Sequence, residues 1–274
     1  MRPSRFALFL LPALLAACAA PAPPPPPAAP LRASGDLRER VVGAALAEWE
    51  SWGKLVLTGW EPVLDGGAVA DPGNFSRILG YWDTVPEGAG VATRHQTTHD
   101  ALIASLEESG VVPAPEPAIA LWANPAWSAA FISFVMRSAG VSEGDFPPAA
   151  AHATYVDSLL SRVSFDPEGA PFRPHAPEER APQPGDLLCA DRSRSPLYGW
   201  TERLGEPGQF RPMHCDVVIS GGPGVVQAIG GNVRDVVALR RLPADSQGRV
   251  LPAPPGESVF FVVFENRLGR RPGA

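Results

Sequence analysis

Basic runs and long apolar runs are both missing from most of this 274-residue chain. Lysine and arginine total 23 against 29 aspartates and glutamates, for a formal charge of −6. An acidic balance without a basic stretch argues against nucleic acid as a partner. Beyond the N-terminal segment no stretch supplies the ~20 apolar residues that a membrane-spanning helix needs. Cysteine is scarce, at three residues. Charged residues make up only 19% of the chain and hydrophobic ones 45%, which provides for a buried core and excludes wholesale disorder. Proline is abundant instead: 33 prolines and 27 glycines predict many loops and at least one stiff extended segment. The length suits one domain of roughly 200 residues with appendages, or two small domains.

The N-terminus carries Arg2 and Arg5 ahead of an apolar run from Phe6 to Ala17. The run is too short for a bilayer and suits the apolar region of a signal peptide. Its end, Leu15-Ala16-Ala17-Cys18, resembles a bacterial lipobox. That resemblance implies removal of residues 1–17 and acylation of Cys18, which would anchor the chain to a membrane through its lipid. Cleavage takes away Arg2 and Arg5 and no acid, so the mature charge falls from −6 to −8. Ala19, where an aspartate would favour inner-membrane retention, implies an outer-membrane lipoprotein of the cell envelope, facing the periplasm. Residues 18–34 then form the acylated cysteine and its tether. Their proline run predicts polyproline II, with a reach of roughly 45 Å at about 3.1 Å per residue.

Residues 35–120 read as helices and loops. Leu37, Val41, Val42, Ala45, Leu46 and Trp49 repeat at helical spacing, with Asp36 as the cap and Gly53 as the stop. Residues 54–92 are punctuated by glycine and proline and read as irregular. Arg94 to Ser109 reads as a second helix. Asn124-Pro125 offers a cap and first-turn proline for a helix to Ala139, apolar nearly all round and hence buried. Ala149 to Val163 reads as another helix, and 166–185 as proline-rich loop. Strand patterns follow at 186–190, 214–219, 225–229, 236–242 and 259–264, the second and third in hairpin relation. Helices first and an antiparallel sheet last is an α+β arrangement, with its core at 121–267 and a tail at 268–274.

Three features recur in order: Ser128 near the start of the buried helix, Pro184-Gly185-Asp186-Leu187-Leu188 leading to His214 at a strand start, and Gly230-Gly231-Asn232 at the end of the next strand. This order resembles the papain-like peptidoglycan hydrolases of the NlpC-like and CHAP types. Trp127-Ser128-Ala129-Ala130-Phe131-Ile132-Ser133 with His152-Ala153-Thr154-Tyr155 resembles more closely the bacterial family called domain of unknown function 2272. The resemblance implies a papain-like core over residues 121–267 and amide hydrolysis in peptidoglycan peptides. Ser128 would be the nucleophile, His214 the base and Asn232 the orienting residue, with no cofactor and no metal. Serine stands where those families have cysteine. A hydroxyl needs a general base to remove its proton during attack, whereas a thiol is readily driven to thiolate. The same residues also suit a catalytically degenerate domain that binds envelope material or is purely structural.

Other residues join the candidate set. Asp216 lies two residues after His214, hence on the same strand face, and is a second partner for the imidazole. His152 and Tyr155 share a helix face, and Trp127 flanks Ser128; each lines a cleft or packs in the core. Cys189 and Cys215 fall on neighbouring strands and form either a disulfide or two buried thiols. His95 and His99 stand four apart on a helix without an evident third ligand, which reads as a solvated face.

Overall fold

The computed structural model describes residues 36–60, 72–110 and 124–269. The signal-peptide and tether readings at 1–34, and residues 270–274 of the tail read at 268–274, lie outside the described residues, while Leu268 is buried in the core. Among the described residues no helix is long and apolar enough to cross a membrane.

Among the described residues six helices and seven strands follow in the order α1 (Leu37–Ser51), β1 (Val56–Thr58), α2 (Pro72–Trp82), α3 (Gly88–Ser109), α4 (Ser128–Ser138), α5 (His152–Phe165), β2 (Phe172–His175), β3 (Leu187–Asp191), α6 (Trp200–Arg203), β4 (Met213–Gly222), β5 (Val225–Val233), β6 (Val236–Pro243) and β7 (Val259–Asn266). The strands form one sheet in the order β1-β6-β5-β4-β3-β7-β2. All neighbours are antiparallel except β1, which lies parallel to β6. The architecture is α+β.

Local signals account for much of this. The Asp36 carboxylate accepts from Arg38 N–H at the start of α1, and Gly53, at φ +89°, ends the turn after it. Gln183-Pro184-Gly185-Asp186 is a tight turn into β3: Asp186 N–H donates to Gln183 O at 2.9 Å and Gly185 takes φ +87°. The buried Asp186 carboxylate accepts from Gln183 N–H, Asn266 N–H and Arg38, tying α1 to the turn and to β7.

Several elements differ from the sequence expectation. Residues 54–92 contain β1, α2 and the first turn of α3. The stretch 166–185 contains β2, an edge strand where Pro174 is tolerated. The buried helix starts at Ser128 and not at Pro125. Trp127 precedes it, wholly buried and stacked on Trp52 at 5.3 Å and Tyr81 at 5.4 Å. Burial of that indole outweighs the local capping preference of Asn124. Trp127 is therefore a core residue and not a cleft wall.

One core runs from Val41 and Ala45 of α1 through Ile78 and Tyr81 of α2 and Phe131, Ile132 and Val135 of α4 to Cys215, Val217 and Phe261 of the sheet. Helix α4 lies against β4 and β5. Its approach is close: a methyl group at Gly231 would fall 2.4 Å from the Phe131 ring. A second, smaller cluster, with Leu188, Ala190, Val218, Ala228 and Phe260, covers the opposite sheet face.

Candidate functional site

Period-two alternation divides the site residues of β4 between the two faces. Cys215 and Val217 join the helix-side core. Asp216 and His214 pair with Leu188 and Ala190 of β3 and share their face, away from α4. Cys189 and Cys215 are direct cross-strand partners and are joined as a disulfide.

Ser128 is the first residue of α4, and its hydroxyl meets a histidine from α5. Ser128 Oγ lies 2.6 Å from His152 Nε2, and His152 Nδ1 is hydrogen-bonded to the Tyr155 hydroxyl one helical turn on. Burial, with the neighbouring His214, holds the His152 pKa well below the usual imidazole range, so the ring is neutral near pH 7. Burial also raises the Tyr155 pKa, so the phenol keeps its proton.

His214 has a different partner. Its Nε2 is 3.0 Å from Asp216 Oδ1, and Arg240 donates to Asp216 Oδ2 at 2.8 Å. Burial acts to raise the Asp216 pKa, but Arg240 and His214 outweigh it and bring the carboxyl down to about 2. An ionised carboxylate only accepts, so His214 Nε2 carries a proton and donates it to Asp216. Its Nδ1 is buried and, among the described residues, has no hydrogen-bond partner. The two imidazoles meet edge to face, with ring centres 5.5 Å apart.

Asn232 does not orient the imidazole. With both ends of its amide satisfied, the oxygen accepts from Trp127 N–H at 3.3 Å and the nitrogen donates to Asp235 Oδ1 at 3.0 Å. A register shift between Gly230 and Val233 and a positive φ at Asn232 turn it toward the start of α4. Ser128 thus engages His152 where the sequence reading paired it with His214, and His214 engages Asp216, the second partner that reading offered, in place of Asn232.

Gly230 makes room for the carboxylate. A Cβ there would stand 2.0 Å from Asp216 Oδ1 and 2.7 Å from His214 Nε2. Beside His214 a cavity of about 180 Å³ opens, bordered by Trp60, Arg192, Asn232 and Arg240. Trp60, Arg192 and Arg240 escaped the sequence reading; only the position of Arg240 across from Ala228 on β5 marks its face.

Residues 70–262, more than half of the chain, match the family described as Uncharacterized protein conserved in bacteria (DUF2272). The chain belongs to that family. No curated protein and no solved structure matches it. The DUF2272 span holds Ser128, His152, His214, Asp216, Gly230 and Arg240; α1, β1 and Trp60 lie before it. Of the histidine pair on α3, His99 stacks on Phe75 with ring centres 4.5 Å apart. Among the described residues no group of three or more His, Cys, Asp or Glu gathers as a metal site.

Proposed function

We propose that this DUF2272 protein is a lipid-anchored component of the bacterial cell envelope. It is held at Cys18 in the outer membrane and faces the periplasm. Its core is papain-like and hydrolyses amide bonds in peptidoglycan peptides, with Ser128 as nucleophile. The observation that carries this reading is the 2.6 Å contact between the Ser128 hydroxyl and a neutral, buried imidazole that a phenol holds on its far side. A nucleophile, a base in reach and a third group orienting the base is the arrangement that activates a serine. The Pro184-Gly185-Asp186 turn, the strand-start His214 and the helix-borne nucleophile support the papain-like assignment.

With its proton on Nδ1 and shared with the Tyr155 oxygen, His152 takes the Ser128 proton at Nε2 as Oγ attacks the carbonyl carbon. The oxyanion faces the first-turn N–H groups of α4, which the side chain of Trp127 does not cap. His152 returns the proton to the departing amine. In the second half His152 Nε2 takes a proton from the water that attacks the acyl carbon and returns it to Ser128 Oγ as the carboxylic acid leaves.

A second reading has its own observation. Ser128 is 5% exposed and is not part of the cavity wall, whereas His214 and Asn232 are. On that reading the domain binds envelope material without cleaving it. Incubating purified peptidoglycan with the full chain and with Ser128→Ala separates the two. New amines from the parent alone support hydrolysis. Release by neither, with the protein retained on the peptidoglycan, supports binding.

A further inference from the structure

The cavity beside His214 has an unusual wall for a pocket of about 180 Å³: three arginines, Arg192, Arg234 and Arg240, against one carboxylate, Glu257. Arg240 is anchored from behind. It donates to Asp216 at 2.8 Å, and its guanidinium lies 5.5 Å from the Trp60 ring centre and 5.8 Å from that of Phe260. An arginine held by a carboxylate on one side and by aromatic faces on the other has lost most of its rotamer freedom before any ligand arrives. Arg192 is exposed, and among the described residues its guanidinium makes no hydrogen bond or ion pair. His214 also lines the cavity, and its Nδ1 is buried without a hydrogen-bond partner among the described residues.

We propose that this cavity is a recognition site for a carboxylate on the ligand, with Arg192 supplying the new contact and Arg240 the fixed positive wall. The proposal rests on the reading that this domain engages peptidoglycan peptides, and it names the chemical class of the ligand: a peptide bearing a free carboxylate. The charge balance favours a monoanion. Asp216 neutralises much of Arg240, and Glu257 adds a carboxylate to the wall, so the positive excess is modest. That suits a carboxylate better than a dianionic phosphate. The guanidinium fork and the carboxylate are matched in shape and bond in bidentate fashion.

The test is equilibrium binding to the full chain by titration calorimetry, so that it does not depend on turnover. The probes are N-acetyl-D-alanyl-D-alanine, its C-terminal amide and inorganic phosphate. The acid is expected to bind at least about tenfold more tightly than the amide, a preference that added salt reduces. Arg192→Gln should remove most of that preference, and Arg192→Glu should invert it, both without change in the melting midpoint because the side chain is exposed. Ser128→Ala should keep the preference. Equal binding of acid and amide, no measurable binding of either, a preference untouched by Arg192→Glu, or phosphate binding as tightly as the acid would each overturn the proposal. A parent that binds the acid selectively yet releases nothing from peptidoglycan supports the carboxylate site while removing the hydrolase reading, so the two failures are distinct.

Discussion

Replacing Gly230 by alanine adds one methyl group and tests the arrangement around His214 at its tightest point. The new Cβ would stand 2.0 Å from Asp216 Oδ1, 2.7 Å from His214 Nε2 and 3.0 Å from Val233 Cγ2. Asp216 has no easy retreat, because its other oxygen is held by Arg240 at 2.8 Å and the residue is fully buried. Gly230 is not in the left-handed region, so the cost is contact and not backbone strain. Overpacking of this kind costs about 1–3 kcal/mol, and loss of a buried hydrogen bond to a charged group costs about 1.5–3 kcal/mol more. A total near 4 kcal/mol lowers the melting midpoint by roughly 8–16 °C in a domain of this size. The control is Gly231→Ala, whose methyl group would strike the Phe131 ring at 2.4 Å on the opposite face. Both variants should melt early. Nitrogen NMR of the histidine rings should show His214 leaving its Nε2–H form only in Gly230→Ala. A Gly230→Ala protein that melts within about 2 °C of the parent, with the His214 tautomer unchanged, would refute the packing argument.

Three further outcomes are expected. The His152 pKa is depressed by burial, so below the unfolded value of about 6.5 the unfolded chain binds a proton that the folded one refuses. Stability should therefore fall with decreasing pH from about 6.5, by up to ~1.4 kcal/mol per pH unit, and denaturant titrations of His152→Gln should lack that slope. Reducing the Cys189–Cys215 bridge, which closes a loop with a sequence separation of 26, should lower unfolding free energy by about 3.5 kcal/mol on the chain-entropy account, read from urea midpoints with and without reductant. Trp127→Ala should cost about 3–5 kcal/mol by thermal melting, because the indole is wholly buried between Trp52 and Tyr81.

Strong local patterns carried the reading of the fold where they existed. The β-branched and aromatic runs of β4 to β7 and the apolar helix α4 declare themselves, since burial on both sides leaves no polar face to confuse the period. Helix α2 was hidden because Pro72, Gly73 and Gly80 look like turn residues, and its helicity depends on Ile78, Tyr81 and Trp82 entering a core built by distant elements. Strands β1 and β2 span three and four residues, too short for any periodicity. At the site, Ser128, His152, His214 and Asp216 could all be singled out from residue type and order. The His214–Asp216 pair was offered by period-two spacing on β4, whereas the Ser128–His152 pair could not be read, because it depends on how α4 and α5 pack together. One signal was present: an imidazole two residues from Asp216 on β4, beside a Gly230-Gly231 pair that permits close approach from both faces.

The central claim is that the Ser128 hydroxyl is a nucleophile, and covalent labelling tests it most directly. A fluorophosphonate reacts with an activated serine by forming a phosphorus–oxygen bond at Oγ, with loss of fluoride and transfer of the hydroxyl proton to the adjacent base. The account predicts one adduct per chain, mapped to Ser128 by peptide mass, absent from Ser128→Ala and strongly slowed in His152→Gln. An unmodified Ser128 peptide after prolonged exposure, or labelling that persists at the parent rate without His152, would contradict it.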